Sequence, residues 1–190
     1  MTDNLTRCPW ANKDPLSRAY HDQVWARPVY DDRKLFKFLS LELMQAGLSW
    51  STILKKAEGL DQAFDNFNPD LIASYEEEKI QALMNNPEII RNQRKIRAVV
   101  TNAKAYKNLL KDFGSLSAYL WAFVDNKPII NSWQDQSQVP AKTDLSERIS
   151  KDMKARGFSF LGPTIIYSFM QAVGLVNDHL LSCDFRDSHL

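Results

Sequence analysis

The chain has 190 residues, of which 44% are hydrophobic and 25% charged, and this composition is typical of one soluble globular domain. The net charge of +1 excludes a surface that is basic all over, so nucleic-acid binding would need a local group of cations. No apolar run approaches the roughly 20 residues that span a bilayer, and residues 1–5 lack the regions of a signal peptide, so we predict a cytoplasmic protein with no membrane partner.

Helix signals follow one another along the whole chain. Asp14-Pro15 predicts a first helix, because Asp caps well and Pro is tolerated in the first turn. Similar signals predict helices that begin at Asp31 or Asp32, at Ser49 with apolar positions as far as Phe64, and at Asn68-Pro69.

The second half of the chain continues the helical pattern. Further helices are predicted over about 76–85, 92–112, 116–124, 143–157 and 164–173, with one more helical turn from Asn177. Residues 125–142 show no clear period and predict a loop long enough to be functional. Since no segment sustains a period of two, we predict an all-α fold.

The stretch 42–50 joins two of these helices through a sharp turn. Gly47 is the usual residue just past a helix end, and Ser49 can cap the next helix. Glu42 therefore lies before the turn and Trp50 just after it. A carboxylate beside an aromatic plate suits a flat ligand that is cationic or bears an amine, such as a modified nucleobase. The alternative is a core tryptophan beside a solvated glutamate.

Four of the five cysteine and histidine residues form two local pairs near the chain ends. Cys8 and His21 are separated by twelve residues, and His179 and Cys183 would lie on one face of the predicted helical turn, while His189 follows in the tail. A Cys₂His₂ set suits tetrahedral zinc, and four protein ligands favour a structural ion. The alternative is two buried free cysteines and two ordinary histidines.

Positive charge is concentrated in one segment, which holds Arg91, Arg94, Lys95, Arg97 and Lys104. This local cluster suits a nucleic-acid contact, and the alternative is a solvated helix face.

These features together resemble the bacterial 3-methyladenine DNA glycosylase I enzymes, members of the helix-hairpin-helix glycosylase superfamily. The resemblance covers nearly the whole chain. It rests on an ordered set of segments: Cys8-Pro9-Trp10, Asp14-Pro15, Tyr20-His21-Asp22, Gln45-Ala46-Gly47-Leu48-Ser49-Trp50, Ile89-Ile90-Arg91, Ser168-Phe169-Met170-Gln171-Ala172 and Asn177-Asp178-His179.

The resemblance implies an all-α helix-hairpin-helix glycosylase fold in a single unit over 1–190. Its helical core would span about 30–165 with the hairpin near 86–95, and a structural zinc would join the N-terminal segment 1–30 to the C-terminal segment 164–190. The implied zinc ligands are Cys8, His21, His179 and Cys183.

The resemblance also implies a base-excision repair enzyme. It would hydrolyse the N-glycosidic bond of 3-methyladenine in double-stranded alkylated DNA and release the free base. We expect a monomer. No lysine stands out as a Schiff-base nucleophile, so we predict no strand cleavage.

The expected site residues follow from the same resemblance. Glu42 is the catalytic candidate, and it would hold the base edge, stabilise an oxocarbenium ion or position water. The base would bind Tyr20, Trp50, Trp10 and Trp25, while DNA would bind Arg91, Arg94 and Lys95.

Several positions depart from the family pattern and affect the expected base range and DNA affinity. They are Ser17, Val24, Ala26 and Leu43, together with a hairpin that lacks glycine and carries Pro87 and Glu88. Three alternatives remain open: a glycosylase for a wider range of alkylpurines, a protein that binds alkylated bases without cutting, and a metallohydrolase that uses the zinc for chemistry.

Overall fold

The computed structural model of the chain describes residues 4–187, and its regular secondary structure over that range is almost entirely helical. Residues 1–3 and 188–190, the latter including His189, lie outside the described part. The helices are α1 (Pro15–Gln23), α2 (Asp32–Gln45), α3 (Trp50–Lys55), α4 (Ala57–Ala63), α5 (Pro69–Ala73), α6 (Glu77–Asn85), α7 (Gln93–Phe113), α8 (Leu116–Ala122), α9 (Asp144–Ala155) and α10 (Pro163–Ala172). The all-α prediction is confirmed.

Shorter elements complete the described part. Three 3₁₀ turns span Pro9–Lys13, Asp65–Phe67 and Gln136–Gln138, and two short strands, β1 (Ile129–Ile130) and β2 (Val176–Asn177), pair in parallel. No helix within 4–187 combines the length and apolarity that a membrane crossing requires.

The predicted helix starts are confirmed by their caps. The Asp14 side chain accepts from Ser17 N at 2.9 Å, and the Ser49 hydroxyl accepts from Thr52 N at 3.2 Å. Each bond satisfies one of the free backbone donors at a helix start. Side chains in the same capping role stand before five more helices: Asp31, Asn68, Asn92, Ser115 and Thr143.

The single helix predicted from Ser49 to Phe64 is instead two helices. The chain breaks at Lys56, whose backbone angles are φ −104° and ψ 6°. The second helix, α4, places Gly59 so close to Glu88 that a Cβ there would lie 2.6 Å from the Glu88 carbonyl oxygen. The break therefore brings α4 against the turn between α6 and α7.

The helical turn predicted from Asn177 is wrong. Residues 176–177 form β2, because Ile129 N donates to Leu175 O at 2.9 Å and Asn131 N donates to Asn177 O at 3.1 Å. These bonds join the C-terminal segment to the long loop at 125–142, a pairing that a local pattern could not indicate. His179 and Cys183 are therefore not one turn apart on a helix.

Two apolar clusters organise the interior. The larger one contains the apolar faces of α2, α7 and α10, including Leu39, Val99 and Phe169, which are fully buried. The smaller one lies between the two chain ends and contains Cys8, Tyr20, Trp25, Ala26, Leu180 and Cys183. The boundary region between these clusters positions the site described below.

Gly174 lets the N-terminal segment pack directly on the end of α10. Its φ is +71°, and a Cβ there would lie 2.4 Å from the Arg27 carbonyl carbon and 2.5 Å from Pro28 N. Two backbone bonds hold the approach: Ala26 N donates to Gln171 O, and Val29 N donates to Val173 O, both at 3.0 Å.

We predict that Gly174→Ala destabilises the fold more than Gly114→Ala. Both glycines have positive φ, which costs an alanine about 1 kcal/mol, but Gly114 has open space where a Cβ would stand. Urea unfolding should show a loss of about 1 kcal/mol for Gly114→Ala and a clearly larger loss for Gly174→Ala. Equal losses would mean that the segment 27–28 moves aside freely.

Candidate functional site

The bend between α2 and α3 brings Glu42 and Trp50 to one cavity. Gly47 takes φ +76° after the end of α2, and Ser49 caps α3, as predicted for this turn. The cavity has a volume of about 560 Å³, which is in the range of small-molecule pockets. Its lining combines four helices, both chain ends and the long loop: Trp10, Lys13, Ser17, Tyr20, Trp25, Glu42, Gln45, Ser49, Trp50, Ser51, Gln136, Val139, Ser168, Gln171 and Asp178.

The four aromatic residues that we expected in a base pocket all line this cavity. Tyr20 and Trp50 have ring centroids 5.0 Å apart with planes tilted by 50°, and Trp10 meets Trp25 edge-on at 5.0 Å. Such an arrangement gives a flat guest several aromatic surfaces to contact. The individual roles of these rings stay predictions.

Glu42 is a buried carboxyl group without an internal partner. The residue is only 5% exposed, and its carboxylate accepts no hydrogen bond from any residue within 4–187. Burial raises its pKa to about 8, because the charged form loses its hydration. An unpaired buried carboxyl group costs stability, and such groups are concentrated where proteins bind or react with ligands.

Tyr20 responds to the same environment. Burial raises the pKa of its hydroxyl well above the usual value, and the negative charge of Glu42 raises it further. The phenol is therefore neutral at physiological pH and offers a hydrogen-bond donor close to the carboxyl group.

Asp178 is a cavity residue that the sequence reasoning did not single out. Its carboxylate accepts four hydrogen bonds: from Asn131 Nδ2 and Trp133 Nε1, both at 2.7 Å, from Tyr167 Oη at 2.6 Å and from Gln171 Nε2 at 2.8 Å. Two of these donors belong to the long loop and two to α10. The signal available in the sequence was its place in the segment Asn177-Asp178-His179, which belongs to the family resemblance.

Cys8, His21, His179 and Cys183 form a buried group that could hold a metal ion. Their ligand atoms all lie within 4.8 Å of one another. His179 Nε2 has no hydrogen-bond partner among the described residues. The group was predicted from composition, but the chain ends assemble it through tertiary contacts rather than through a helical turn.

The ligand group is joined to the cavity through aromatic rings. Trp25 stands edge-on to His179 at 4.6 Å, and Trp10 stands edge-on to His21 at 5.2 Å. On the other side, His21 Nδ1 contacts Asp22 Oδ1 at 2.8 Å. The position of the cavity wall therefore depends on the same chain ends that supply the four cysteine and histidine residues.

The expected DNA-binding cations have different surroundings. Arg91 and Arg94 are exposed near the start of α7, whereas Lys95 is buried. The Lys95 ammonium donates to Met44 O at 2.9 Å and to Ala46 O at 2.6 Å, so it binds free carbonyls at the end of α2. Burial lowers the pKa of Lys95. None of the three residues lines the cavity.

The departures from the family pattern also have structural positions. Ser17 is buried at the cavity wall, with its hydroxyl donating to Asp14 at 2.8 Å. Leu43 is fully buried in the larger apolar cluster. Ala26 has φ +60°, a conformation that costs an alanine more than a glycine.

Comparison with known proteins gives a consistent result. The sequence model of the methyladenine glycosylase family matches residues 10–187. DNA-3-methyladenine glycosylase of Haemophilus influenzae is 45% identical over 183 residues, which cover 96% of this chain and 99% of that protein. DNA-3-methyladenine glycosylase 1 of Escherichia coli K12 is 43% identical over 94% of this chain and 96% of that protein.

Solved structures agree with the sequence relatives. 3-Methyladenine DNA glycosylase I from Staphylococcus aureus is 39% identical and superposes with a TM-score of 0.94 over 99% of this chain and 100% of that chain. A structure of 3-methyladenine DNA glycosylase I in complex with 3-methyladenine is 39% identical and superposes with a TM-score of 0.93, over 97% of this chain and 99% of that chain.

We predict that Glu42→Gln gains stability relative to the unsubstituted protein as the pH rises. The folded pKa is about 8 and the ordinary value is 4.5, so between these values the folded state holds more protons than the unfolded state. Its free energy of unfolding therefore falls with rising pH, by up to about 1.4 kcal/mol per pH unit for this group. The glutamine side chain does not titrate, so the free energy of unfolding of the variant does not fall in this way.

Urea unfolding between pH 5 and 8 measures the difference, with Glu77→Gln as the control. Hydrogen bonds with Gln81 and Arg97 lower the pKa of exposed Glu77, so its contribution is constant over this range. A flat difference for Glu42→Gln would mean that its carboxyl group is solvated.

Proposed function

The chain belongs to the methyladenine glycosylase family, and we propose that it is a base-excision repair enzyme that hydrolyses the N-glycosidic bond of 3-methyladenine in alkylated DNA. The observation that carries this proposal is the convergence of Tyr20, Trp50 and the unpaired Glu42 carboxyl group on one cavity. The relatives named above are glycosylases for this base.

The chemistry requires little acid catalysis. A 3-methylated adenine in DNA carries a positive charge, and when the bond between C1′ and the base breaks, the bonding electrons neutralise that charge. Water supplies the new oxygen on C1′ and gives up a proton. The protein therefore has to extract the base, hold it and admit water.

The cavity supports extraction of the base. Removing a base from the stack costs a few kcal/mol, and least for a damaged base. Stacking on aromatic rings such as Tyr20 and Trp50 returns about 1–3 kcal/mol, with further attraction for a cationic base. We assign the rings of Trp10 and Trp25 to the surrounding wall.

We assign Glu42 to recognition of the base edge. Its carboxylate would accept a hydrogen bond from the exocyclic amine, and that bond would favour the ionised form of a group whose pKa is otherwise about 8. Recognition is its primary role in our proposal, because a leaving group that is already charged needs little further activation. Support of positive charge on the sugar is compatible with the same position.

We propose that the buried ligand group holds a structural zinc ion. In a tetrahedral site the Zn–S and Zn–N lengths place sulfur and nitrogen ligands about 3.6 Å apart. The distances are 3.7 Å from Cys8 Sγ to His179 Nδ1, 3.4 Å from Cys183 Sγ to the same nitrogen, and 3.6 Å from Cys183 Sγ to His21 Nε2.

The surroundings of the ligand group support a structural role for the metal. Asp22 contacts the second nitrogen of His21 and orients the ring, as carboxylates commonly do behind zinc-bound histidines. Four protein ligands leave no open position for water, which argues against the metallohydrolase alternative.

DNA binding is assigned to the turn between α6 and α7, which we propose is the hairpin of a helix-hairpin-helix motif. The Asn86 side chain accepts from Glu88 N at 2.9 Å, and the Asn92 side chain caps α7, so the turn is ordered without glycine. Arg91 and Arg94 are exposed beside it and are our candidates for phosphate contacts. Lys95 instead supports the bend at 46.

The remaining features of the proposal concern the whole chain. We propose a monomeric, cytoplasmic enzyme that forms a single unit over 1–190. The smaller apolar cluster supports the single unit, because it joins residues of the N-terminal segment to residues of the C-terminal segment. A wider range of alkylpurine substrates is the alternative that Ser17 favours, since this small residue stands in the cavity wall.

We predict that the protein releases 3-methyladenine from methylated duplex DNA and leaves the abasic strand intact. Chromatography of the freed bases and gel analysis of the strand measure the two outcomes. Release of several alkylpurines at similar rates would favour the wider substrate range, and binding without release would favour the non-catalytic alternative.

Glu42→Gln separates base recognition from other defects. Calorimetry should show about tenfold weaker binding of free 3-methyladenine, because a charged hydrogen bond is replaced by a neutral one. Glu77→Gln should bind normally. Unchanged affinity in Glu42→Gln would refute the recognition role.

We predict one zinc ion per chain by elemental analysis. Cys183→Ser should lose most of the zinc and unfold at a lower temperature, whereas Ser182→Ala, at the exposed neighbouring position, should keep both. A protein that contains no zinc and whose melting temperature is unaffected by chelators would contradict the proposal.

A further inference from the structure

One wall of the cavity comes from the long loop rather than from the helical core. Gln136 and Val139, from the 3₁₀ turn Gln136–Gln138 and the residue after it, line the same cavity as Glu42 and Trp50. Gln136 is exposed, and its side-chain amide makes no hydrogen bond with any residue of the described range. The amide is therefore available to a ligand at the cavity rim.

The turn that carries Gln136 is held in one conformation by its own side chains. Asp135 Oδ1 accepts from Ser137 N at 2.8 Å, and Gln138 Oε1 accepts from Gln134 N at 2.8 Å and from Asp135 N at 3.3 Å. This reciprocal pattern is a capping box, which fixes the entry and the first turn of a helix.

The base of the turn is anchored to the interior by Asp178. Asn131 and Trp133 donate to its carboxylate, Leu181 N donates to Trp133 O at 2.8 Å, and β1 pairs with β2. Asp178 itself is 2% exposed and lines the cavity. A loop that is tied at so many points is a prearranged wall, so little entropy is lost when it binds a ligand.

The rim of the cavity also carries a cation. Lys13, at the end of the 3₁₀ turn Pro9–Lys13, is exposed, lines the cavity and has no carboxylate partner within residues 4–187. An amide donor and a free cation together suit the sugar and the phosphates of a nucleotide, which remain at the rim when its base enters the cavity.

We propose that the turn 135–139 is a second DNA-contacting surface and that Gln136 binds the backbone of the nucleotide whose base occupies the cavity. The proposal rests on the proposed function, since it takes the flipped nucleotide as the ligand. It is separate from the contacts assigned to Arg91 and Arg94, because neither arginine lines the cavity.

The first test compares Gln136→Ala with Gln134→Ala, a change just before the turn at a residue that does not line the cavity. On a duplex with a single 3-methyladenine, Gln136→Ala should lower kcat/KM about fivefold, the effect of one lost hydrogen bond. Its affinity for free 3-methyladenine should stay unchanged, because the base itself binds deeper in the cavity. Gln134→Ala should behave like the unsubstituted protein.

The second test adds a charge at the same position. Gln136→Lys should bind a duplex containing a tetrahydrofuran abasic site more tightly. The slope of the logarithm of its binding constant against the logarithm of the salt concentration should become more negative by about 0.9, for one added phosphate contact. Asn108→Lys carries the same added charge on α7, outside the cavity, and should leave the slope unchanged.

The possible outcomes distinguish this proposal from the proposed function. Equal behaviour of the Gln136 and control variants, with the unsubstituted protein active, would overturn the DNA contact alone. Weaker binding of free 3-methyladenine by Gln136→Ala would also overturn the proposed DNA contact, because the Gln136 side chain would then bind the base itself. If the unsubstituted protein released no base, the proposed function would fail, and the salt slopes would still decide whether the turn meets DNA.

Discussion

The meeting of the two chain ends is the constraint on which the rest of the structure depends. Cys8 and His21 come from the first turns of the chain, and His179 and Cys183 come from its last described segment. The ring of Trp25, from the N-terminal segment, packs edge-on against His179 of the C-terminal segment at this meeting. A bound metal would hold the ends together directly, and the wall of the cavity would follow.

One residue of the cavity, Glu42, lowers the stability of the fold. Glu42 is buried without a hydrogen-bond donor, although a leucine or methionine at this place would be less expensive to bury. The surrounding helices keep the carboxyl group in place because α2 is buried along most of its length, including Leu39, Leu43 and Met44. The binding of an amine or a positive charge would offset the cost, so the site is complete only with its ligand.

Local signals predicted the helix starts well, because a cap such as Asp14 or Ser49 acts on a backbone group only three residues away. The strands β1 and β2 and the bonds of Asp178 were not predictable in this way. Asn131 and Asp178 are 47 residues apart, and no periodicity records such a pairing.

The four cysteine and histidine residues that could hold a metal ion combine a prediction that was right with one that was wrong. Their grouping was predicted from the small number of cysteine and histidine residues. The helical turn expected from Asn177 was wrong, because β2 occupies residues 176–177 and residues 178–187 form no helix. Glu42 and Trp50 were proposed as a site from the turn between them, and the other pocket residues came from the resemblance. Only the folded chain shows that the loop at 125–142 adds to the cavity wall.

The buried ammonium of Lys95 has a mechanical consequence. It lies at the start of α7, beside the exposed arginines, and it holds the carbonyl oxygens of Met44 and Ala46, which stand between Glu42 and Trp50 in the chain. A movement of the start of α7 would shift the bend between α2 and α3 as well, because separating them would break the two charged hydrogen bonds of Lys95. The DNA contact proposed for the arginines and the position of Glu42 and Trp50 in the cavity would thus be coupled through one amino group.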